Sequence, residues 1–216
     1  MTDGLKKILI LGTATFAEEI ADVASEIPAV EVAGFVENMD KQRCAQKIAG
    51  LDVFWIDEIA EFAKTHYAVC GLGTTQRGIF TDQIDKYNMP FVKLIHPSAR
   101  LSKKSSLGEG TILSVGAIVA ANSQIGSHVI VNRAATIGHH TTIDSFVSIG
   151  PNANVAGNCR IGSRVYIGIG ATIIDHVSVG DNSIIAAGSV VTKDVPDSVM
   201  VAGVPARIIK ENIDNK

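Results

Sequence analysis

The sequence predicts a chain of two parts, a small β/α region followed by a parallel β-helix. Three observations predict it. From residue 101 onward an aliphatic residue recurs every six positions without a slip. A small or β-branched residue stands four positions after each of them. Before residue 97 the grammar differs: short apolar runs alternate with segments of helical spacing.

Stepping in sixes from Leu101 reaches Leu107, Leu113, Val119, Ile125 and so on to Val191, and all sixteen residues are Leu, Ile or Val. The residues four further on run from Ser105 and Thr111 through Ala135 and Cys159 to Val195. Glycine often follows the aliphatic directly, as at Gly108, Gly126 and Gly138. Ordinary amphipathic strands do not hold such a register. Six residues make one short strand and one turn, so three hexads make an 18-residue triangular coil. Positions 18 apart then stack at the inter-strand spacing of ~4.8 Å. Each coil buries its aliphatics against its neighbours, as in other solenoids. The repeat therefore predicts a continuous β-helix over residues 101–196.

In the first region, Lys7–Gly12 is a short apolar run ending in glycine, hence a buried strand. Thr15 precedes a helix over residues 16–25, with acids in its first turn. Val30–Val36 reads as a second strand, Ile56–Ala63 as a short helix and Ala68–Leu72 as a third strand. Thr75–Lys86 reads as a helix, and Phe91–Ile95 closes the set. This order implies a small parallel α/β sheet of Rossmann-like β-α-β-α-β type. The expected domains are residues 1–96 and 97–216.

Composition agrees. The 216 residues are 46% hydrophobic but only 5% aromatic, with 20 glycines, which suits many short strands and tight turns. A net charge of -3 provides no overall basic field, so no nucleic-acid partner is expected. No apolar run is long enough to span a bilayer, and the first residues lack the apolar core of a signal peptide. Cys44, Cys70 and Cys159 are an odd set without metal-like spacing. The expectation is a cytoplasmic protein without a membrane partner.

The hexads of residues 101–210 resemble the hexapeptide-repeat acyltransferase superfamily. Ala202-Gly-Val-Pro-Ala-Arg207 adds to the likeness, because many members end the helix with such a segment beside coenzyme A. The resemblance implies a left-handed β-helix, usually a homotrimer; general crossover rules favour the opposite hand. The whole chain, from about residue 7 to 210, is similar to a narrower group, the bacterial sugar-nucleotide N-acetyltransferases of the bacillosamine and perosamine type. Gly12 after the first strand, Glu37 after the second, Gly71-Leu-Gly-Thr-Thr-Gln-Arg77 after the third and Ile95-His-Pro-Ser-Ala99 at the junction carry that likeness. It implies transfer of acetyl from acetyl-CoA to the amine of a UDP-, dTDP- or GDP-linked amino sugar, with no metal cofactor.

Acetyl transfer to an amine needs a base, a held nucleophile and donors for the carbonyl oxygen. Histidine is the residue type suited to the base at neutral pH. The family's base matches His139 in Ala135-Thr-Ile-Gly-His139-His140, at an outward turn; read alone, His139 would be a surface histidine. Next to it the family commonly carries a carboxylate, whereas this chain has His140. Another acid, such as Asp144 or one from a neighbouring subunit, would then have to orient His139. For acetyl-CoA the resemblance implies Ser148, Gly157, Ile169 and Ala187. Gly157 lies one coil beyond His139, where a missing side chain would let the pantetheine arm pass; a turn glycine is the plain alternative. For the nucleotide, Gly12-Thr13-Ala14-Thr15 keeps only the first glycine of the usual turn, though the following helix start could still favour phosphate. Glu37 and Asn38 could meet ribose or base, and Gly73 and Thr74 could line the pocket.

Two other functions stay open at this level. One is a zinc enzyme of the γ-carbonic-anhydrase type, since His140 and His176 are 36 apart and stack on one edge; the third ligand position would be Asp181. The other is a non-catalytic β-helix scaffold or binding module.

Overall fold

Four parallel strands form the core of the first part: β1 (Lys6–Leu11), β2 (Val30–Glu37), β3 (Val53–Trp55) and β4 (Tyr67–Cys70), in the order β3-β2-β1-β4. The computed structural model describes residues 5–213. The chain divides into two units, one running to Gly73 and taking in Arg77–Pro97, the other comprising Thr74–Gln76 and the chain from Ser98 onward. In the first unit β1 is central and covered on both faces, so Ile8, Leu9, Ile10 and Leu11 are all fully buried. Helix α1 (Thr15–Ser25) buries Ala17, Ile20, Ala21, Val23 and Ala24. A Cβ at Gly71 would lie 2.7 Å from Ile10 Cγ2 and 2.9 Å from Ala17 Cα, so glycine lets α1 sit close to the end of β4.

Several local readings change. Ala14, not Thr15, is the N-cap of α1, and no side chain caps it. Strand β3 was not expected; three residues are too few to show a period. Ile56–Glu61 is a 3₁₀ helix rather than an α-helix. The α-helix expected from Thr75 begins at Gly78 and ends at Asp85 (α2), after a 3₁₀ turn at Thr75–Arg77. Phe91–Ile95 adds no fifth strand to this sheet: Phe91 makes an isolated bridge to Ala68, and Leu94–Ile95 is a separate two-residue strand.

The second unit is a left-handed parallel β-helix. Sixteen two-residue strands run from Arg100–Leu101 to Val190–Val191, each ending on the aliphatic of its hexad. They fall in turn on three faces, and each strand pairs in parallel with the strand three hexads away, as Thr136–Ile137 does with Asn154–Val155. The first face begins at Arg100–Leu101, the second at Ser106–Leu107 and the third at Ile112–Leu113.

The turns supply a rule that the aliphatic period hides. From Gly110 to Gly188 the fourth residue of every hexad has φ between 54° and 67°. Glycine and asparagine suit that left-handed conformation and occupy many of these positions. His128, Ala134, His140, Phe146, Arg164 and His176 adopt it as well, held by the coils above and below.

Hydroxyls turned into the prism tie the coils together at one corner. Ser105 Oγ donates to Ala120 O (2.6 Å), Ser123 Oγ to Gly138 O (2.8 Å) and Thr141 Oγ1 to Ala156 O (2.9 Å). Each also accepts from an amide of the next coil: those of Ser123, Thr141 and Cys159. A hydroxyl here satisfies one donor and one acceptor inside the prism.

The register breaks at its C-terminal end. Val195 bridges to Val179 and Met200 pairs with Ile184, in both cases across less than a full coil of chain. The sixteenth repeat is therefore cut short. Val195 stacks on Val179 as the next core aliphatic instead of completing the hexad of Val191. Met200–Gly203 and Ala206–Lys210 then form an antiparallel hairpin around Val204–Pro205, a cis peptide.

Thr141→Val keeps shape but leaves the Ala156 carbonyl and the Cys159 amide without their hydroxyl partner. It should lower unfolding stability by about 1–3 kcal/mol, as measured by chemical denaturation.

Candidate active site

His139 and His140 occupy the corner between the first and second faces. The coil register puts Ala121, His139, Gly157 and Asp175 in one column there, and Asn122, His140, Asn158 and His176 in the next. Backbone bonds hold the pair from both sides: His140 N donates to Ala121 O (3.1 Å), and His139 O accepts from Asn158 N (2.9 Å). Both imidazoles are exposed to solvent. Their Nδ1 atoms lie 3.0 Å apart, with the rings edge to face at 84°. On its other side, His140 Nε2 lies 3.0 Å from the Asn122 amide nitrogen. The partner of His139 Nδ1 is thus His140. Asp144 instead lines an open groove on the second face with Asp181 and Asp194.

Gly157 lies directly against the His139 ring. A Cβ there would lie 2.8 Å from His139 Cε1 and 3.0 Å from its Nε2. The space left by the missing side chain is filled by the imidazole itself. Gly157 seats His139.

The other residues assigned to acetyl-CoA lie elsewhere on the prism. Ser148 is buried on the third face, while Ile169 and Ala187 are exposed on the corner between the third and first faces. Within one chain, His139 and Gly157 are on one edge and Ile169 and Ala187 on another. The zinc arrangement divides in the same way. His176 is exposed beside Asp175 (3.6 Å), but Asp181 sits at the corner between the second and third faces, accepting from Ser163 N (2.8 Å).

In the first unit, Thr13 and Glu37 meet at the C-terminal ends of β1 and β2. The Thr13 hydroxyl donates to Glu37 Oε2, and Arg43 Nη1 donates to Thr13 Oγ1 (2.7 Å) from 3.7 Å away from the same carboxylate oxygen. Glu37 Oε1 accepts from the amides of Met39 (2.8 Å), Asn38 (3.0 Å) and Asp40 (3.3 Å). Burial alone would push the Glu37 carboxyl up, but the Thr13 hydroxyl and these amides outweigh it and hold it below the ordinary range. Glu37 therefore folds the loop after β2. Asn38 donates to Gln83 Oε1 (2.9 Å). Gly12 is buried against Leu72 with φ 109°, and Ala14 and Thr15 are exposed at the uncapped start of α1. Beside that helix start, Thr13, Glu18, Arg43 and Lys47 line a cavity of about 280 Å³. A Cβ at Gly73 would lie 3.8 Å from Phe16 Cδ1, and Thr74, in the second unit, accepts from Gln76 N (3.2 Å). Arg43 and Lys47 escaped the sequence reading. They lie on or beyond a 3₁₀ turn, with no motif to mark them.

A sequence model described as "Bacterial transferase hexapeptide (six repeats)" matches residues 158–193. Solved structures similar over nearly the whole chain include the following three. Perosamine N-acetyltransferase from Caulobacter crescentus, a histidine-to-asparagine mutant in complex with CoA and GDP-perosamine, is 28% identical with a TM-score of 0.86, over 95% of this chain and 97% of that one. The acetyltransferase domain of PglB from Neisseria gonorrhoeae FA1090, in complex with acetyl coenzyme A, is 28% identical with a TM-score of 0.88, over 95% and 100%. WeeI from Acinetobacter baumannii AYE is 25% identical with a TM-score of 0.86, over 94% and 100%. The chain thus carries hexapeptide repeats of the bacterial-transferase kind and is similar over nearly its full length to two N-acetyltransferase structures, those of perosamine N-acetyltransferase and the PglB acetyltransferase domain. No curated protein sequence matches it.

For an acyltransferase of this kind, the thiols decide whether an acyl-enzyme is available. Burial pushes the Cys70 thiol up to about 11, only partly countered by the buried Arg77 guanidinium. Burial also raises Cys44 and Cys159, and Cys159 Sγ is turned onto Ile174 O (3.1 Å). Such thiols are poor nucleophiles.

Gly157→Ala should displace the His139 ring without straining the backbone. Acetyl transfer should fall about 10–100-fold at unchanged melting temperature. Glu37→Gln should destabilise the protein at pH 7. Because the folded carboxyl is held low, its stabilisation is fully present above the ordinary value of 4.5 and lost as pH falls through the depressed one. Melting curves of the two proteins should therefore converge below that value.

Proposed function

We propose that the chain transfers acetyl from acetyl-CoA to the amine of a nucleotide-linked amino sugar, with His139 as general base. The observation that carries this reading is His139, seated by Gly157 and paired with His140, on a chain similar throughout to an enzyme held with CoA and GDP-perosamine.

In the reaction the amine nitrogen attacks the thioester carbonyl. A C–N bond forms and the C–S bond breaks. His139 Nε2 takes the proton from the attacking nitrogen and can return it to the departing thiolate of CoA, so charge and protons balance. Coenzyme A is a cosubstrate here, and no metal enters the step. The first unit holds the nucleotide, with Arg43, Lys47 and the free amides at the start of α1 facing phosphate.

A homotrimer belongs to this reading. Ile169 and Ala187 share a groove with His139 only where the edge of one copy meets a different edge of the next. The three free cysteines suit a reducing, cytoplasmic setting.

Purified protein is offered acetyl-CoA with GDP-, UDP- and dTDP-linked 4-amino sugars, and release of CoA thiol is followed. One nucleotide should support turnover well above the others. His139→Ala should lose about 10²–10⁴-fold in kcat at unchanged melting temperature. An unchanged rate in that variant removes His139 as base; no turnover on any amino sugar removes the activity.

A further inference from the structure

The pair of histidines poses a tautomer problem. The two Nδ1 atoms are 3.0 Å apart, so one carries the hydrogen and the other accepts it. His139 has a lone pair on Nε2, as a base requires, only if its own hydrogen is on Nδ1. His140 must then accept at Nδ1, and as a neutral imidazole it must carry its hydrogen on Nε2. The opposite arrangement puts a hydrogen on His139 Nε2 and leaves it unable to accept a proton there. A carboxylate next to the base settles this unaided, because it only accepts. A histidine does not.

What faces His140 Nε2 therefore decides the tautomer of His139. That group is the side-chain amide of Asn122, one coil away at 3.0 Å. An amide can meet a ring nitrogen with either end, and a half-turn about χ2 exchanges Nδ2 for Oδ1. With Nδ2 toward His140, His140 holds its hydrogen on Nδ1 and His139 is blocked. With Oδ1 toward His140, the chain of donors runs from His139 Nδ1 to His140 Nδ1, and from His140 Nε2 to Asn122. The His140 contact is the one hydrogen bond of the Asn122 side chain among the described residues, so no other partner opposes the turn. The backbone contributes as well. Asn122 and His140 both sit at the left-handed turn position, with φ of 61° and 57°, which stacks them in successive coils at the same corner.

We propose that Asn122 is a positioning residue for acetyl transfer: its side-chain oxygen accepts from His140 Nε2 and thereby lets a neutral histidine stand in for the carboxylate beside the base. When His139 takes the substrate's proton at Nε2, its Nδ1 hydrogen is shared with His140, and Asn122 Oδ1 stabilises the charge spread over the pair. Asn122 touches neither substrate in this scheme. The inference rests on His139 being the base.

The test uses the full chain, acetyl-CoA and the amino-sugar nucleotide that turns over best. His139→Ala addresses the base alone: loss of transfer upholds that reading, and a normal rate overturns it whatever Asn122 does. Asn122→Gly removes the amide while keeping a residue suited to φ 61°. Its kcat should fall about 10–100-fold, part of the ~10²–10⁴-fold that a positioned base supplies, with KM for acetyl-CoA within twofold. Asn122→Asp supplies an obligate acceptor and should restore most of the lost rate. In a His140→Asn background, Asn122→Gly should cost nothing further. Side-chain ¹⁵N spectra of the resting protein should show His139 hydrogenated at Nδ1 and His140 at Nε2, and Asn122→Gly should mix both tautomers. A wild-type kcat in Asn122→Gly, an Asn122→Asp as slow as Asn122→Gly, additive losses with His140→Asn, or a His139 hydrogenated at Nε2 would each overturn the proposal.

Discussion

Everything in the second unit depends on stacking at an interval of three hexads. A two-residue strand has almost no stability of its own. It persists because the same two residues recur one coil above and below, pairing backbone to backbone and aliphatic to aliphatic. The constraint acts on turns as strongly as on strands. Each corner must close in the same way, so the fourth residue of successive hexads is driven into the left-handed region even where it is His, Phe or Arg. Local preference gives way to the lattice of the helix.

The same lattice makes the histidine corner. A loop histidine in an ordinary protein has no fixed neighbour, but here His139 has one in each coil. Gly157 leaves room for its ring, and Asn122 reaches the adjacent His140 from the other side. The first unit works on a different principle. Its candidate site lies at the C-terminal ends of parallel strands, where α/β sheets commonly bind ligands. There a buried carboxylate, Glu37, is satisfied by a hydroxyl and three amides, with Arg43 alongside. That arrangement holds a loop in shape and leaves Arg43 and Lys47 beside the open helix start.

Two kinds of selection are visible in the glycines. Some sit where a neighbouring coil or helix passes too closely for a Cβ, as Gly71 does against Ala17 and Gly138 against the backbone at Ala156. Gly157 sits where a catalytic candidate needs the room. In sequence these positions look alike. What separates them is the identity of the neighbour in the adjoining coil, and that neighbour is known only once the register is translated into stacking.

The sequence by itself determined the β-helix, its three hexads per coil and the placement of His139 on an outward corner. A side-chain period carried through sixteen repeats is a statement about geometry at every step. It also marked the first β/α strand and helix, whose apolar patterns are long enough to read. It did not reveal β3, which is too short to carry a period, or the shortened last coil, where Val195 still obeys the rule of the repeat while pairing back to Val179. Only the tertiary structure decided what surrounds the histidines. That Gly157 cradles a ring, that His140 faces Asn122, and that Arg43 closes on Thr13 from far along the chain are facts about side-chain direction and rotamer. Periodicity places a residue at a corner, but packing between coils decides which atoms it meets there.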